Sequence, residues 1–232
     1  MTASPGITRL EPLGRRGLRV RIHLDVGEPF EVTLESVERA RIGVGDKLSP
    51  DARRDLLDAD ADVRVREAAL NLLSYRTRTR HELKSRLRQK GFATPRVETC
   101  LDRLEGKGLI DDGAVAAAIV RDRLHHRPRG RARLTAELRA KGVDTELALE
   151  AIERVFEDEG ASDAGLAREA AEAWIVRQGS ATRGALGGGH TPQRDKAKRR
   201  LYGYLARRGF RGDALAEAVG HAEQLAREAG TG

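Results

Sequence analysis

Leu18, Val20, Ile22, Leu24 and Val26 alternate with Arg19, Arg21, His23 and Asp25. This period of two predicts a strand with one buried face. Gly27-Glu28-Pro29 is a turn signal, and Phe30, Val32 and Leu34 resume the alternation, so a β-hairpin is expected. Ser49-Pro50-Asp51 then predicts a short helix. Serine is a good N-cap, proline suits the first helical position, and the carboxylate meets the positive end of the dipole. Leu56 and Leu57 are its expected buried side. A hairpin is marginal alone and must lean on a helix or a partner.

From about residue 62 the apolar period becomes 3.6, and no further strand is expected. An internal repeat organises this part. Leu83-x3-Leu87-x3-Gly91-Phe92 returns as Leu134-x3-Leu138-x3-Gly142-Val143 and again as Leu201-x3-Leu205-x3-Gly209-Phe210. Leucines four apart share a helix face, and each glycine stands where a left-handed residue would end the helix. Six residues beyond each glycine come Val97, Ala148 and Leu215; ten beyond, Leu101, Ile152 and Val219; thirteen beyond, Leu104, Val155 and Ala222. These offsets are the buried stripe of a following helix. Another helix precedes each leucine pair, over Ala68–Leu73, Val115–Leu124 and Leu166–Ile175. Each unit therefore has three helices, and three units are expected.

Local signals agree. Thr79-Arg80-His81-Glu82 is a capping box, Asp111 can cap the helix after it, and Thr94-Pro95 and Asp144 can open third helices. The repeat glycines lie 51 and then 67 residues apart, and the excess of 16 falls at Gly179–Asp195. With Gly184 and Gly187-Gly188-Gly189, that segment is expected to be a flexible loop, and deletion of Gly179–Thr191 is expected to spare the fold. The expected fold is mainly all-α: a hairpin and short helix over 1–61, then three-helix repeats over 62–110, 111–159 and 160–232.

Composition narrows the function. Of 232 residues, 39% are apolar and 34% charged, which implies a thin core of Leu, Ala, Val and Ile under a heavily charged surface. No apolar run is long enough to cross a membrane, and Met1–Gly6 lacks the apolar stretch of a signal peptide. The lone Cys100 excludes a disulfide-stapled scaffold, so a cytoplasmic protein is expected. The net charge of +7 is concentrated. Residues 64–145 carry 20 basic and 10 acidic side chains, and residues 194–211 carry 8 and 1. Such blocks favour an anionic partner.

Catalytic and metal readings fare poorly. His81-Glu82 opens like a zinc-protease helix, but Ser85 stands where the second histidine is needed. The glycine-rich segment follows a helical stretch rather than a strand, and no Gly-Lys-Ser/Thr follows it. His125-His126 has no ligand set around it, and Asp111-Asp112 is better used as a cap. Cys100 falls where the other units have Ala151 and Ala218, as a small core residue would. Trp174 is expected in the core as well. No nucleophile–base constellation stands out, so neither an enzyme nor a cofactor is expected.

The basic run is different. Arg121, Arg123, Arg127, Arg129, Arg131 and Arg133 face one acid, Asp122, and Pro128 and Gly130 break the helix among them. The arginines should splay around a helix–loop–helix junction instead of pairing along a face. Guanidinium forks match phosphate and carboxylate. Lys196, Lys198, Arg199 and Arg200 open the corresponding helix of the third unit. With 3% aromatics, contact with phosphate or an acidic surface is the expected mode.

Leu109-Ile110-Asp111-Asp112, then Arg121-x-Arg123, Pro128-x-Gly130 and Leu134-x2-Glu137-Leu138-x2-Lys141-Gly142-Val143, resemble the central signature of the RecX family. Ala69-x2-Leu72-Leu73-x2-Arg76-x2-Thr79-x2-Glu82-Leu83-x3-Leu87-x2-Lys90-Gly91-Phe92 resembles its opening repeat. The likeness covers 63–158 well and 160–228 weakly; the hairpin region and the glycine-rich insertion are less typical. The resemblance implies an elongated, curved array of three-helix units. It also implies a regulator of the recombinase RecA, acting in recombination, DNA repair and the SOS response; a monomer is expected. Such a protein binds RecA or RecA–DNA filaments, inhibits ATPase, strand-exchange and coprotease activities, and binds bare DNA weakly without sequence preference. The two basic clusters are then the filament or DNA contacts. The alternative is a stand-alone DNA-binding module of helix-turn-helix type, which short helices and glycine turns also allow.

Overall fold

Strands β1 (Ile7–Leu13), β2 (Arg19–Leu24) and β3 (Phe30–Thr33) form an antiparallel sheet in that order. This is a computed structural model that describes residues 4–14 and 18–229. The expected hairpin is β2–β3, with Val20 opposite Val32 and Ile22 opposite Phe30. The sheet has a third strand that the alternation did not reveal. β1 carries Pro12 and is an edge strand, where a missing N–H is tolerated. Leu10 pairs with Ile22, and Glu11 Oε2 lies 2.9 Å from His23 Nε2 across the ladder. Ile7, Val20, Ile22 and Val32 face Val37, Leu48 and Leu56, and this small core is what the hairpin leans on.

Two helices follow the sheet. α1 (Leu34–Ala40), not expected, is capped by Thr33, whose hydroxyl accepts from Ser36 N. α2 (Pro50–Tyr75) begins as predicted, with the Ser49 hydroxyl accepting from Ala52 N. It is not short: it runs 26 residues, unbroken through the boundary expected at 61–62. Leu56 is buried, but Leu57 is 40% exposed, so only one of the two leucines faces the core. Asp60, one turn on, is buried and accepts from Thr33 N (2.6 Å), Thr33 Oγ1 (2.8 Å) and Ser36 Oγ (3.0 Å). Its neighbours Asp58 and Asp62 instead take the guanidinium of Arg96. Residues two apart on a helix point to nearly opposite sides.

The remaining helices are α3 (Arg80–Gln89), α4 (Thr94–Glu105), α5 (Asp112–His126), α6 (Arg131–Ala140), α7 (Thr145–Asp158), α8 (Asp163–Val176), α9 (Ser180–Gly187), α10 (Pro192–Arg207) and α11 (Gly212–Glu228). Gly91, Gly142 and Gly209 have φ of +88°, +78° and +90°. The next residue's N–H reaches back in each case: Phe92 to Leu87 O, Val143 to Leu138 O and Phe210 to Leu205 O. This is the helix-ending turn that the repeat predicts. The repeat leucines are fully buried.

The chain divides into two compact units, Met1–Arg78 with Leu83–Ile110, and Thr79–Glu82 with Asp111–Gly232. The first holds the sheet core and a second cluster around Leu83, Leu87, Val97, Leu101 and Ile110. Cys100 lies there, free and 8% exposed, with burial pushing its thiol pKa up. The second unit has one core, running from Ala116 to Ala226.

The glycine-rich insertion is not a flexible loop. Ser180–Gly187 forms α9, and Leu186 is 1% exposed in the core of the second unit. A Cβ on Gly187 would stand 2.6 Å from Ala226 O, so the missing side chain admits the backbone of α11. Composition suggested freedom; here glycine serves close approach. Removal of this segment would therefore empty part of the core.

Within the second unit one clasp occurs twice. Asp112 Oδ1 accepts from Arg80 N (2.8 Å), and Asp163 Oδ1 accepts from Arg131 N (3.2 Å). Thr79 Oγ1 donates to Lys141 O (2.7 Å), and Gly130 N donates to Arg208 O (3.0 Å). A helix start is thus satisfied by groups from far along the chain. The adjacent pair Asp111-Asp112 divides this work: Asp111 caps its own helix through Ala114 N, and Asp112 caps α3.

Candidate functional site

The basic run Arg121 to Arg133 spans the end of α5, the Pro128–Gly130 turn and the start of α6. The arginines do not all splay into solvent as expected. Four are paired. Arg121 Nη2 is 3.0 Å from Asp158 Oδ2. Arg123 Nε and Arg129 Nη1 hold opposite oxygens of Glu137 at 3.0 and 2.9 Å. Arg131 forms a two-pronged pair with Glu153 at 2.8 and 3.0 Å, and its guanidinium lies 3.9 Å over the Phe156 ring. The sequence could not show this, because every one of these acids lies in α6 or α7.

Glu137 is the centre of that network. Its side chain is 16% exposed. Burial pushes its pKa up, but the hydrogen bond from Arg123 and the charges of Arg129, Arg123 and Arg133 outweigh it and hold the carboxyl below its usual range. It is a charged anchor between two guanidiniums.

Arg127 and Arg133 are the remainder. Both are exposed, and neither side chain has a carboxylate partner among the described residues. They line a cleft of about 450 Å³ with Arg129, Arg177, Arg207 and Arg208. Pro128, Ala170 and Ala173 supply its apolar surface, with Tyr204 beside them; Glu169 is its one lining carboxylate among the described residues. Arg208 stacks 3.8 Å over the Tyr204 ring. Burial lowers its pKa, and the charges of Arg129, Arg177 and Arg207 lower it further, with Tyr204 opposing. Like charges therefore outnumber acids here: among the lining arginines described, only Arg129 is held by a carboxylate, Glu137, and Glu169 is the one acid in the lining.

The clasp at Gly130 builds this cleft. A Cβ on Gly209 would lie 2.5 Å from both the Cβ and the N of Arg133, and one on Gly130 would lie 2.7 Å from Gly209 O. Two glycines let the end of α10 touch the start of α6, so Arg207 and Arg208 meet Arg127 and Arg133. A second hollow of about 430 Å³ is lined by Trp174, Lys196, Arg199, Arg200, Tyr204 and Arg207. Tyr204 and Arg207 belong to both, which joins the two predicted clusters into one basic face. Lys198 is set apart, since its Nζ lies 3.2 Å from Glu223 Oε1. Trp174 is 7% exposed and tilted against Tyr204, a core residue as expected that also borders the second hollow.

Arg177, Arg207 and Arg208 escaped the sequence reading of the site. Arg207-Arg208-Gly209 does stand at a repeat glycine, and its alignment with Lys141-Gly142, which docks on a helix start, was the available signal. The first unit has a smaller cavity, about 200 Å³, beside Cys100. Three of its four lining arginines are paired: Arg39 and Arg66 with Glu35, and Arg96 with Asp62. Among the described residues no group of three or more His, Cys, Asp or Glu is placed to hold a metal ion, and no helix is long and apolar enough to cross a membrane.

Comparison with known proteins agrees with the motifs. Residues 66–104 match the model of the RecX first three-helix domain, and residues 111–152 that of the second. The regulatory protein RecX of Amycolatopsis mediterranei is 37% identical over 147 residues, 63% of this chain and 76% of that protein. That of Mycobacterium sp. strain KMS is 40% identical over 158 residues, 66% of this chain and 80% of the relative. A crystal structure of regulatory protein RecX superposes with a TM-score of 0.67 at 22% identity, covering 92% of this chain and 98% of the other. The crystal structure of RecX from Lactobacillus salivarius gives 0.57 at 22% identity, covering 72% and 99%. These two likenesses speak to fold; the sequence relatives establish descent, and this chain belongs to the RecX family of regulatory proteins.

Proposed function

We propose that this chain is a non-catalytic regulator that binds RecA recombinase or RecA–DNA filaments. By this reading it inhibits RecA ATPase, strand-exchange and coprotease activities, in the settings of recombination, DNA repair and the SOS response. Three tandem helical units, over about 62–110, 111–159 and 160–232, are its working body, the third carrying α9 as a fourth helix where three were expected, and it acts in the cytoplasm as a monomer.

The observation that carries this reading is the basic face of the second unit in a chain of RecX descent. Repeat units expose a long surface and need no catalytic pocket. Unneutralised arginines on such a surface fit an anionic partner.

Titrating the purified protein into a RecA ATPase assay on single-stranded DNA tests the proposal. Hydrolysis should fall at protein concentrations below those needed to coat bare DNA. Unchanged hydrolysis at saturation would overturn it.

A further inference from the structure

We propose that the cavity between α2 and α4 in the first unit is a binding site for a small organic anion, an acid group carried on an apolar body about the size of a benzene ring. This goes beyond the regulator reading, and it concerns a different part of the chain from the basic face of the second unit.

Two helices and the end of a third build the cavity. Asp62, Val63 and Arg66 come from α2, and Arg39 from the last turn of α1. Arg96, Cys100, Arg103 and Leu104 share one side of α4, and Lys107 follows just beyond its end. Val63, Cys100 and Leu104 are buried and form an apolar floor. The volume, about 200 Å³, compares with the roughly 150 Å³ of a cavity that accepts benzene. The walls are fixed before any guest arrives, because Arg39 and Arg66 are tied to Glu35, and Arg96 to Asp58 and Asp62. A prearranged site has less order to lose on binding.

The rim decides the sign of the guest. Asp62 is the one carboxylate in the lining among the described residues, and Arg96 takes it. Arg103 and Lys107 have no ion-pair partner among the described residues. Burial pushes the Cys100 thiol pKa up, while the charges of Arg66 and Arg103 pull it down, so the field of the rim reaches the floor. A guanidinium and an ammonium left over at the mouth suit the oxyanion of a carboxylate or phosphate monoester. A purely ionic guest would leave the apolar floor wet, and a purely apolar one would leave both cations unanswered. A nucleic-acid backbone, whose phosphates lie along a chain, offers no apolar end to seat on that floor.

Cys100 is the chain's one cysteine, so its alkylation by the neutral reagent iodoacetamide reports occupancy of the floor, with the full chain and no RecA present. Benzoate and phenyl phosphate are the probes. At least one should slow alkylation saturably, about tenfold once it stands at about ten times its Kd, and the tighter one identifies the acid group. Benzamide keeps the ring without the charge, and inorganic phosphate keeps the charge without the ring; each should protect about tenfold more weakly or not at all. Arg103→Gln with Lys107→Gln should move the protection curve about tenfold to higher concentration at an unchanged melting temperature, since both side chains are exposed. Arg64→Gln with Arg88→Gln removes the same charge from exposed positions outside the cavity, and should leave the curve in place. No saturable protection by either acid would overturn the proposal. Equal protection by benzamide, inorganic phosphate or an oligothymidylate would do so too, as would an equal shift in the two double variants.

Discussion

Two sets of arginines share the turn between α5 and α6, and they differ in what neutralises them. Arg123, Arg129 and Arg131 are held by Glu137 and Glu153. Arg127 and Arg133, interleaved with them, face the cleft and have no ion-pair partner among the described residues. In sequence the two sets are indistinguishable. The first belongs to the architecture of the second unit, and the second is free to meet something else. A basic run is therefore not a binding site until its internal pairs have been subtracted.

The largest effect is expected where both sets are brought together. Gly209→Ala adds a Cβ 2.5 Å from the backbone and Cβ of Arg133, at a φ of +90°. It should cost about 3–4 kcal/mol, from overpacking plus left-handed strain. Gly91→Ala shares the φ but meets nothing within 4 Å, and should cost about 1 kcal/mol. Denaturant melts of the pair isolate the close approach; equal losses would mean that helix ending alone explains both.

Glu137→Ala comes next. It strands two half-buried guanidiniums and should cost about 2–3 kcal/mol. The pH dependence has a definite sign. The folded carboxyl titrates below its usual value, so its contribution is present above the ordinary glutamate range, about pH 4.3, and is lost as pH falls through the folded pKa. The stability gap between the parent protein and Glu137→Gln should therefore narrow in acid. A gap that stays constant down to about pH 3 would place Glu137 outside the charged network.

The smallest effect on stability belongs to Arg127→Glu with Arg133→Glu, within about 0.5 kcal/mol because both are exposed and unpaired. If the proposed regulation of RecA is right, the same variant should suppress RecA ATPase far less than the parent protein. Changing Arg129 and Arg131 as well would confuse this, since Arg131 packs on Phe156 and pairs with Glu153. A large loss of stability in the double variant would erase the distinction between the two sets.

Much of the fold was legible. The left-handed glycines, the buried leucines and the caps at Ser49, Thr79, Asp111 and Asp144 are local signals, and they hold in the structure. The features that escaped are those fixed at a distance. β1 exists because β2 offers an edge, and α9 because α11 offers a backbone surface to Gly187. Asp60 stands between Asp58 and Asp62 with nothing local to mark it, and its buried hydrogen bonds to Thr33 and Ser36 are made 27 and 24 residues away. Of the site, the clusters at 121–133 and 196–200 were visible as charge. Arg207 and Arg208 were marked only by their repeat glycine, since the contact that brings them to α6 leaves no trace in periodicity, and Arg177, at the end of α8, had no signal.

The doubled clasp bears on how the chain emerges during synthesis. The N–H of Arg131, at the start of α6, has Asp163 as its partner, a residue made after all of α6 and α7. Gly130 waits longer, since its partner is the carbonyl of Arg208. The nascent α6 therefore has a ragged beginning that is sealed only when the last third of the protein arrives. Helix formation there is completed backwards, by chain not yet made when the helix itself is translated.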